Sequence, residues 1–181
     1  MPTLARLALG AALFLAGCNA SEMRTSGNAN VPQPAKPVEL GRYLGKWYEQ
    51  ARYEASFQKG CEGVTAEYSQ RPDGGVRVLN TCREGSPEGP VRTAEATAKV
   101  VDDSQGAKLK VTFFWPFEGD YWVLDHADDY SWSIVGEPSG RYLWLLTRAP
   151  NLSARQYDSL VKRAASLGYD VERLRRTRQS S

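Results

Sequence analysis

The chain has 181 residues, a formal net charge of +2, 41% hydrophobic and 24% charged content. That balance fits a globular domain rather than a disordered chain, and it lacks the clustered basic excess of a phosphate-binding surface, so no nucleic-acid partner is expected. The single histidine, His126, rules out a paired-histidine zinc site and sits in a polar stretch, 125–129. No Gly-x-Ser-x-Gly elbow, Gly-rich phosphate loop or Cys-x-x-Cys pair occurs. The adjacent Asp128 and Asp129 make a poor acid–base pair, because neighbours in a strand face opposite ways. No metal, no cofactor and no enzymatic activity are expected.

Taken in order, residues 1–17 read as a lipoprotein signal peptide. Arg6 is its positive region, and the apolar run 7–16 is shorter than the ~20 residues a membrane-spanning helix needs. It ends in Leu15-Ala16-Gly17-Cys18, which resembles the bacterial lipobox. Cys18 is then the lipidated residue, carrying a diacylglycerol thioether and, on its new N-terminus, an acyl group such as palmitate. By resemblance to diderm lipoproteins, Asn19 rather than Asp after the cysteine implies the outer membrane, on its periplasmic face. Residues 18–38, rich in Ser, Asn, Gly and Pro, read as a lipidated flexible tether. A short helical turn is expected over 39–44.

From Trp47 onward the sequence alternates in short strands with turn chemistry between them. The expected strands are 48–53, 64–70, 76–82, 91–101, 107–114, 120–125, 130–136 and 141–147. Arg71-Pro72-Asp73-Gly74-Gly75 and Pro138-Ser139-Gly140 are strong turns. Eight strands in meander order would leave two open edges, and closure into a barrel removes both. One helix follows. Ser153 and Gln156 form a capping box, Leu152 and Tyr157 a hydrophobic staple, and Gly168 the stop. Tyr157, Leu160, Val161 and Ala164 give one apolar face, which needs a partner outside the barrel. The domain is taken as 39–174, with a loose tail at 175–181 whose arginines are solvated.

An opening Gly45-x-Trp47, eight meandering strands, a closing Arg148 and a final helix resemble the lipocalin family. The fold expected is an all-β, eight-stranded up-and-down antiparallel barrel with one C-terminal α-helix packed outside. The resemblance implies that Gly45, Trp47 and Arg148 build the barrel floor, with Arg148 stacked on Trp47. The family's Thr-Asp-Tyr corner appears imperfectly as Asp128-Asp129-Tyr130. Tyr43-Leu44-Gly45-Lys46-Trp47-Tyr48-Glu49, Val64-Thr65-Ala66-Glu67-Tyr68-Ser69 and the stretch from Tyr142 to Pro150 are similar to bacterial outer-membrane lipoprotein lipocalins and apolipoprotein D-like proteins. Such a protein binds a small apolar or amphipathic ligand. A homodimer is left open.

With Cys18 consumed by lipid, Cys61 and Cys82 remain as an even pair in an exported domain. Folding the hairpin about residues 72–73 sets position 61 against 83 or 84, near enough to Cys82 for a bridge across a bulge. Two unpaired thiols are the alternative, and they would admit a lipocalin-type isomerase that uses a free cavity cysteine.

Side chains alternate in and out of a barrel wall. With Trp47 inward, Glu49 and Ala51 follow. The other inward sets are Val64, Ala66 and Tyr68; Val78 and Asn80; Ala94, Ala96, Ala98 and Val100; Leu109, Val111 and Phe113; Tyr121 and Val123; and Tyr142, Trp144 and Leu146. From these, Ala66, Tyr68, Val78, Asn80, Ala96, Ala98, Val111, Phe113, Tyr121, Val123, Tyr142 and Trp144 are the expected ligand contacts. The alanines leave volume unfilled, and a fatty acid or lysophospholipid is the expected occupant. Tyr121, Tyr142 and Asn80 are the candidates for its polar head.

Overall fold

Period-two alternation of apolar and polar residues builds eight antiparallel strands: β1 (Gly45–Tyr53), β2 (Cys61–Gln70), β3 (Val76–Glu84), β4 (Val91–Val100), β5 (Lys108–Phe114), β6 (Phe117–His126), β7 (Trp132–Gly136) and β8 (Leu143–Thr147). These come from a computed structural model that describes residues 26–180. The signal peptide, Cys18 and the first part of the expected tether lie outside the described residues. Each strand from β2 to β8 pairs with the next, and β1 pairs with both β8 and β2, so the sheet closes on itself.

The first helix, α1 (Leu40–Tyr43), leads into Gly45, whose φ of +91° is a left-handed conformation that a side chain disfavours. The second, α2 (Ala154–Ser166), carries the expected capping box between Ser153 and Gln156. Gly168 stands at φ +91° just after it. Tyr157, Leu160, Val161 and Ala164 of α2 pack against Leu124, Ile134, Leu143 and Leu145, the outward apolar residues of β6, β7 and β8. A separate cluster, with Trp47, Tyr68, Val78, Val123, Val135 and Leu146, fills the barrel interior. The two-phase apolar character of β6 and β8 therefore has one cause: those strands are covered on both faces.

Local irregularities correct the alternation. The β1–β8 register shifts between Glu49 and Ala51. Glu49 stays inward, while Ala51 turns out and joins the helix-side cluster. Val100, expected inward, is exposed, because it ends β4 at the barrel's edge. His126, expected in a polar loop, is buried at the end of β6, stacked on Tyr130 with ring centroids 4.3 Å apart.

The two expected loose segments are both packed. Residues 26–38 run along the barrel as an extended strap: the Ala35 amide donates to Leu124 at 2.8 Å, where the β6–β7 register shifts, and the Val38 amide donates to Gln105 at 2.9 Å. Val38 is buried in the interior cluster and Val31 packs on the outer one. Prolines set the strap extended, so it shows no apolar period of its own. At the other end, a ninth strand, β9 (Leu174–Arg176), pairs with β1 at Ala51–Tyr53. The tail enters where β1 and β2 part. The Gly63 amide donates to Arg178 at 2.7 Å, and the Gln179 amide nitrogen donates to the carbonyls of Glu49 and Val64. Arg175 reaches Glu54 and Glu62, and Arg178 reaches Glu62.

Candidate ligand-binding site

One end of the barrel is closed. Trp47 lies fully buried there, its indole N–H donating to the Tyr43 carbonyl at 2.8 Å. The Arg148 guanidinium covers the ring at 3.8 Å from its centroid and donates to the carbonyls of Lys46, Arg42, Tyr43 and Leu44. Four carbonyls of the turn entering β1 therefore converge on one side chain. The loop 127–131 supports the same end. Tyr130 adopts φ +60°, an unusual state for a bulky residue, held by stacking on His126, by Arg42 over its ring at 4.4 Å and by the Glu39 amide donating to its hydroxyl.

Above the floor, the hydroxyls of Tyr43 and Tyr121 meet at 3.0 Å, Tyr121 and Tyr68 at 2.8 Å, and Tyr43 and Ser133 at 2.9 Å. Burial pushes the Tyr43 phenol up to about 12. It also holds Tyr68 and Tyr121 well above the ordinary range, with Tyr43 adding to the effect on both and Tyr68 adding to it on Tyr121. All three remain neutral donors at physiological pH.

Between this layer and the open end lies a cavity of about 670 Å³, within the usual size of small-molecule sites. Of the expected contacts, Ala66, Tyr68, Val78, Asn80, Ala98, Val111, Phe113, Tyr121, Tyr142 and Trp144 line it. Ala96 and Val123 do not; both are spent in the interior packing. The alternation missed Tyr43 and Leu40 at the base and the β1–β2 loop at the mouth. There Phe57 packs on Tyr142 and Tyr142 stacks on Trp144, each pair with centroids 5.7 Å apart. Gln58, on a 3-10 turn (Ser56–Gln58), accepts from the Trp144 indole at 3.1 Å and donates to Glu49 at 2.6 Å.

Glu49 is the buried charge of the wall. Its carboxylate also accepts from Arg52 at 2.8 Å and from Thr177. Arg52, wholly buried, extends to Glu54 and to the carbonyls of Gln58 and Cys61. These charges are satisfied by one another, as buried ions must be. Cys61 and Cys82 form a disulfide at the mouth, Cα atoms 5.2 Å apart. The β2–β3 register sets Cys61 opposite Glu84, and a shift between Glu62 and Thr65 accompanies the reach to Cys82. Arg92 stands beside the bridge, donating to Cys61 Sγ at 3.4 Å.

A family model described as a lipocalin-like domain matches residues 38–179. The chain belongs to the lipocalin family. Outer membrane lipoprotein Blc of Vibrio cholerae is 42% identical over 168 residues, covering 90% of this chain and 95% of the relative. Temperature-induced lipocalin-1 of Arabidopsis thaliana is 37% identical, covering 80% and 81%, and apolipoprotein D of Mus musculus 34%, covering 82% of each. Among solved structures, insecticyanin from Manduca sexta superposes with a TM-score of 0.68 at 18% identity, covering 86% of this chain and 88% of that one. The lipocalin match extends past residue 174 and takes in the packed tail. The Thr-Asp-Tyr corner works here without its threonine: Asp129 accepts from the Ser131 amide at 2.9 Å, closing the turn that delivers Tyr130.

Proposed function

We propose that this lipocalin is anchored through lipid on Cys18 to the periplasmic face of the outer membrane and binds, stores or transports a fatty acid or lysophospholipid in its barrel. The observation that carries the reading is the apolar cavity, closed below by Trp47 and Tyr43 and open above between loops. An acyl chain suits it: each buried methylene contributes ~0.8 kcal/mol before the costs of association. Tail-first entry leaves the polar head near Tyr142 and Arg92 at the mouth, while Ala66, Val78, Ala98 and Val111 face the chain. The outer-membrane assignment rests on the lipobox and on the name of the bacterial relatives.

An isomerase reading needs a thiolate in the cavity. Cys61 and Cys82 share their sulfurs in a bridge, which disfavours it. Native mass spectrometry of a soluble Cys18→Ser variant, followed by lipid extraction, tests the carrier reading. One acyl lipid per barrel, displaced stoichiometrically by added fatty acid, is expected. An empty protein that takes up no acyl chain on titration refutes it.

A further inference from the structure

The open end of the barrel bears the loops 54–60, 85–90, 115–116 and 137–142, and it carries the large apolar side chains that the fold leaves in solvent. At the β5–β6 hairpin tip, Phe114 is 79% exposed, Trp115 87% and Phe117 78%. Phe57 of the β1–β2 loop, Val91 at the start of β4 and Phe113 extend this rim. Among the described residues, Val100 alone of the exposed large apolar side chains lies toward the closed end. The closed end instead carries Asp102, Asp103, Asp128 and Asp129 on its loops. Exposed aromatic side chains gathered at one end of a barrel have no fold-level reason and mark a contact surface.

The path of the strap identifies what it contacts. The Ser26 hydroxyl donates to the Ser139 carbonyl at 2.9 Å, and the Gly27 amide to Gly140 at 2.9 Å. Asn28 is buried and donates to Leu167 at 3.0 Å. The described chain therefore begins at the open end, beside the 137–142 loop, and runs from there toward the floor. Cys18 precedes Ser26 by eight residues, a reach of at most about 29 Å even fully extended. A lipid on Cys18 would therefore join the folded chain at the mouth end of the barrel, not at its floor.

We propose that the rim formed by Phe57, Phe114, Trp115 and Phe117 docks into the bilayer to which the chain is anchored, with the cavity mouth facing the lipid. The proposal rests on Cys18 as the lipidated residue. Aromatic side chains favour the interface between headgroups and acyl chains, and an apolar loop adds a second contact to a lipid anchor. A mouth set against the bilayer lets an acyl ligand pass between membrane and cavity with little exposure to water.

The test uses the mature lipoprotein, its mass measured, reconstituted in vesicles of phosphatidylethanolamine and phosphatidylglycerol with brominated acyl chains. The Trp115 signal is the difference between parent and Trp115→Phe emission. Quenching of that signal, strongest with bromines near the headgroups, is expected. In parallel, Cys18→Ser protein should co-sediment weakly with the same vesicles, and adding Trp115→Glu should lower this by about tenfold or more. A Trp115 insensitive to bromine in the reconstituted lipoprotein overturns the docking, as does a cross-link between Trp115 positions of two copies that buries the rim. A mature mass without acyl chains refutes the lipidation reading alone; the sedimentation of the Trp115→Glu variant then decides the rim by itself.

Discussion

Arg148 holds the barrel floor through geometry as much as charge. Its planar fork donates to four carbonyls while its face lies on Trp47. Lysine offers a point charge that cannot bridge the same set. Arg148→Lys should therefore destabilise the protein by about 1.5–3 kcal/mol, and Trp47→Ala by about 3–5 kcal/mol. Because the two touch, the double variant should lose less than the sum; urea denaturation of the four proteins measures it. The tyrosine layer adds a pH dependence. An unfolded tyrosine ionises near 10 and Tyr43 near 12. In that window the unfolded chain releases a proton the folded chain keeps. Stability is thus whole below pH 10 and falls as pH rises toward 12, more steeply because Tyr68 and Tyr121 are raised too. Each such phenol contributes about 1.4 kcal/mol per pH unit to the slope. Tyrosinate absorbance should rise for these residues together with loss of sheet circular dichroism, and ionisation in a fully folded barrel would contradict the burial.

The elements that complete the barrel are its staples. The Cys61–Cys82 bridge closes a separation of 21 residues, worth roughly 3 kcal/mol in the chain-entropy model. Cys61→Ser with Cys82→Ser should lose about that much, and reductant should lower the parent to a similar denaturation midpoint. The tail is the second staple. β9 brings Arg175 and Arg178 to Glu62 and Thr177 to the Glu49–Arg52 pair. Ending the chain at Arg173 should cost about 3–5 kcal/mol, because it strips buried charges of partners. Thermal unfolding of that truncation, compared with one lacking only Ser181, checks it. Much of this level was legible beforehand. Turn residues and alternation located all eight barrel strands within a few positions. Ser153, Gln156 and Gly168 bounded α2 through purely local hydrogen bonding. The three residues of β9 were not legible: they are too few and too basic for a strand pattern, and their partners lie more than a hundred positions upstream.

At the scale of the whole molecule, the cavity exists because the wall of β4 is made of small residues. Ala98 is buried against the void. Ala98→Trp should fill it, costing about 1–3 kcal/mol if the barrel overpacks, and should remove fatty-acid binding from a folded protein. Tryptophan-fluorescence titration with an acyl ligand, alongside circular dichroism, reads both. Full affinity in a folded variant would place the ligand away from this wall.

Sequence alone determined the eight strands and their turns, the helix and its apolar outer face, while the floor pair Trp47 and Arg148 came from the family resemblance and the hairpin left the Cys61–Cys82 bridge open against free thiols. The strands, turns and helix follow from interactions a few residues long or from a period repeated along a segment, which is written locally. Tertiary structure decided the rest. A single bulge after Glu49 reverses Ala51 and leaves Glu49 and Arg52 inside, supported by Gln58 from the turn after β1 and by Thr177 from the tail, 128 positions away. The strap at 26–38 lacks a period because an extended segment takes its burial from the surface beneath it. Phe114 ends an expected strand and Trp115 and Phe117 fall in the connection after it, and only the fold sets all three at the tip of a hairpin, beyond the reach of any covering element. Exposure depends on what lies opposite, and no neighbour in sequence carries that information.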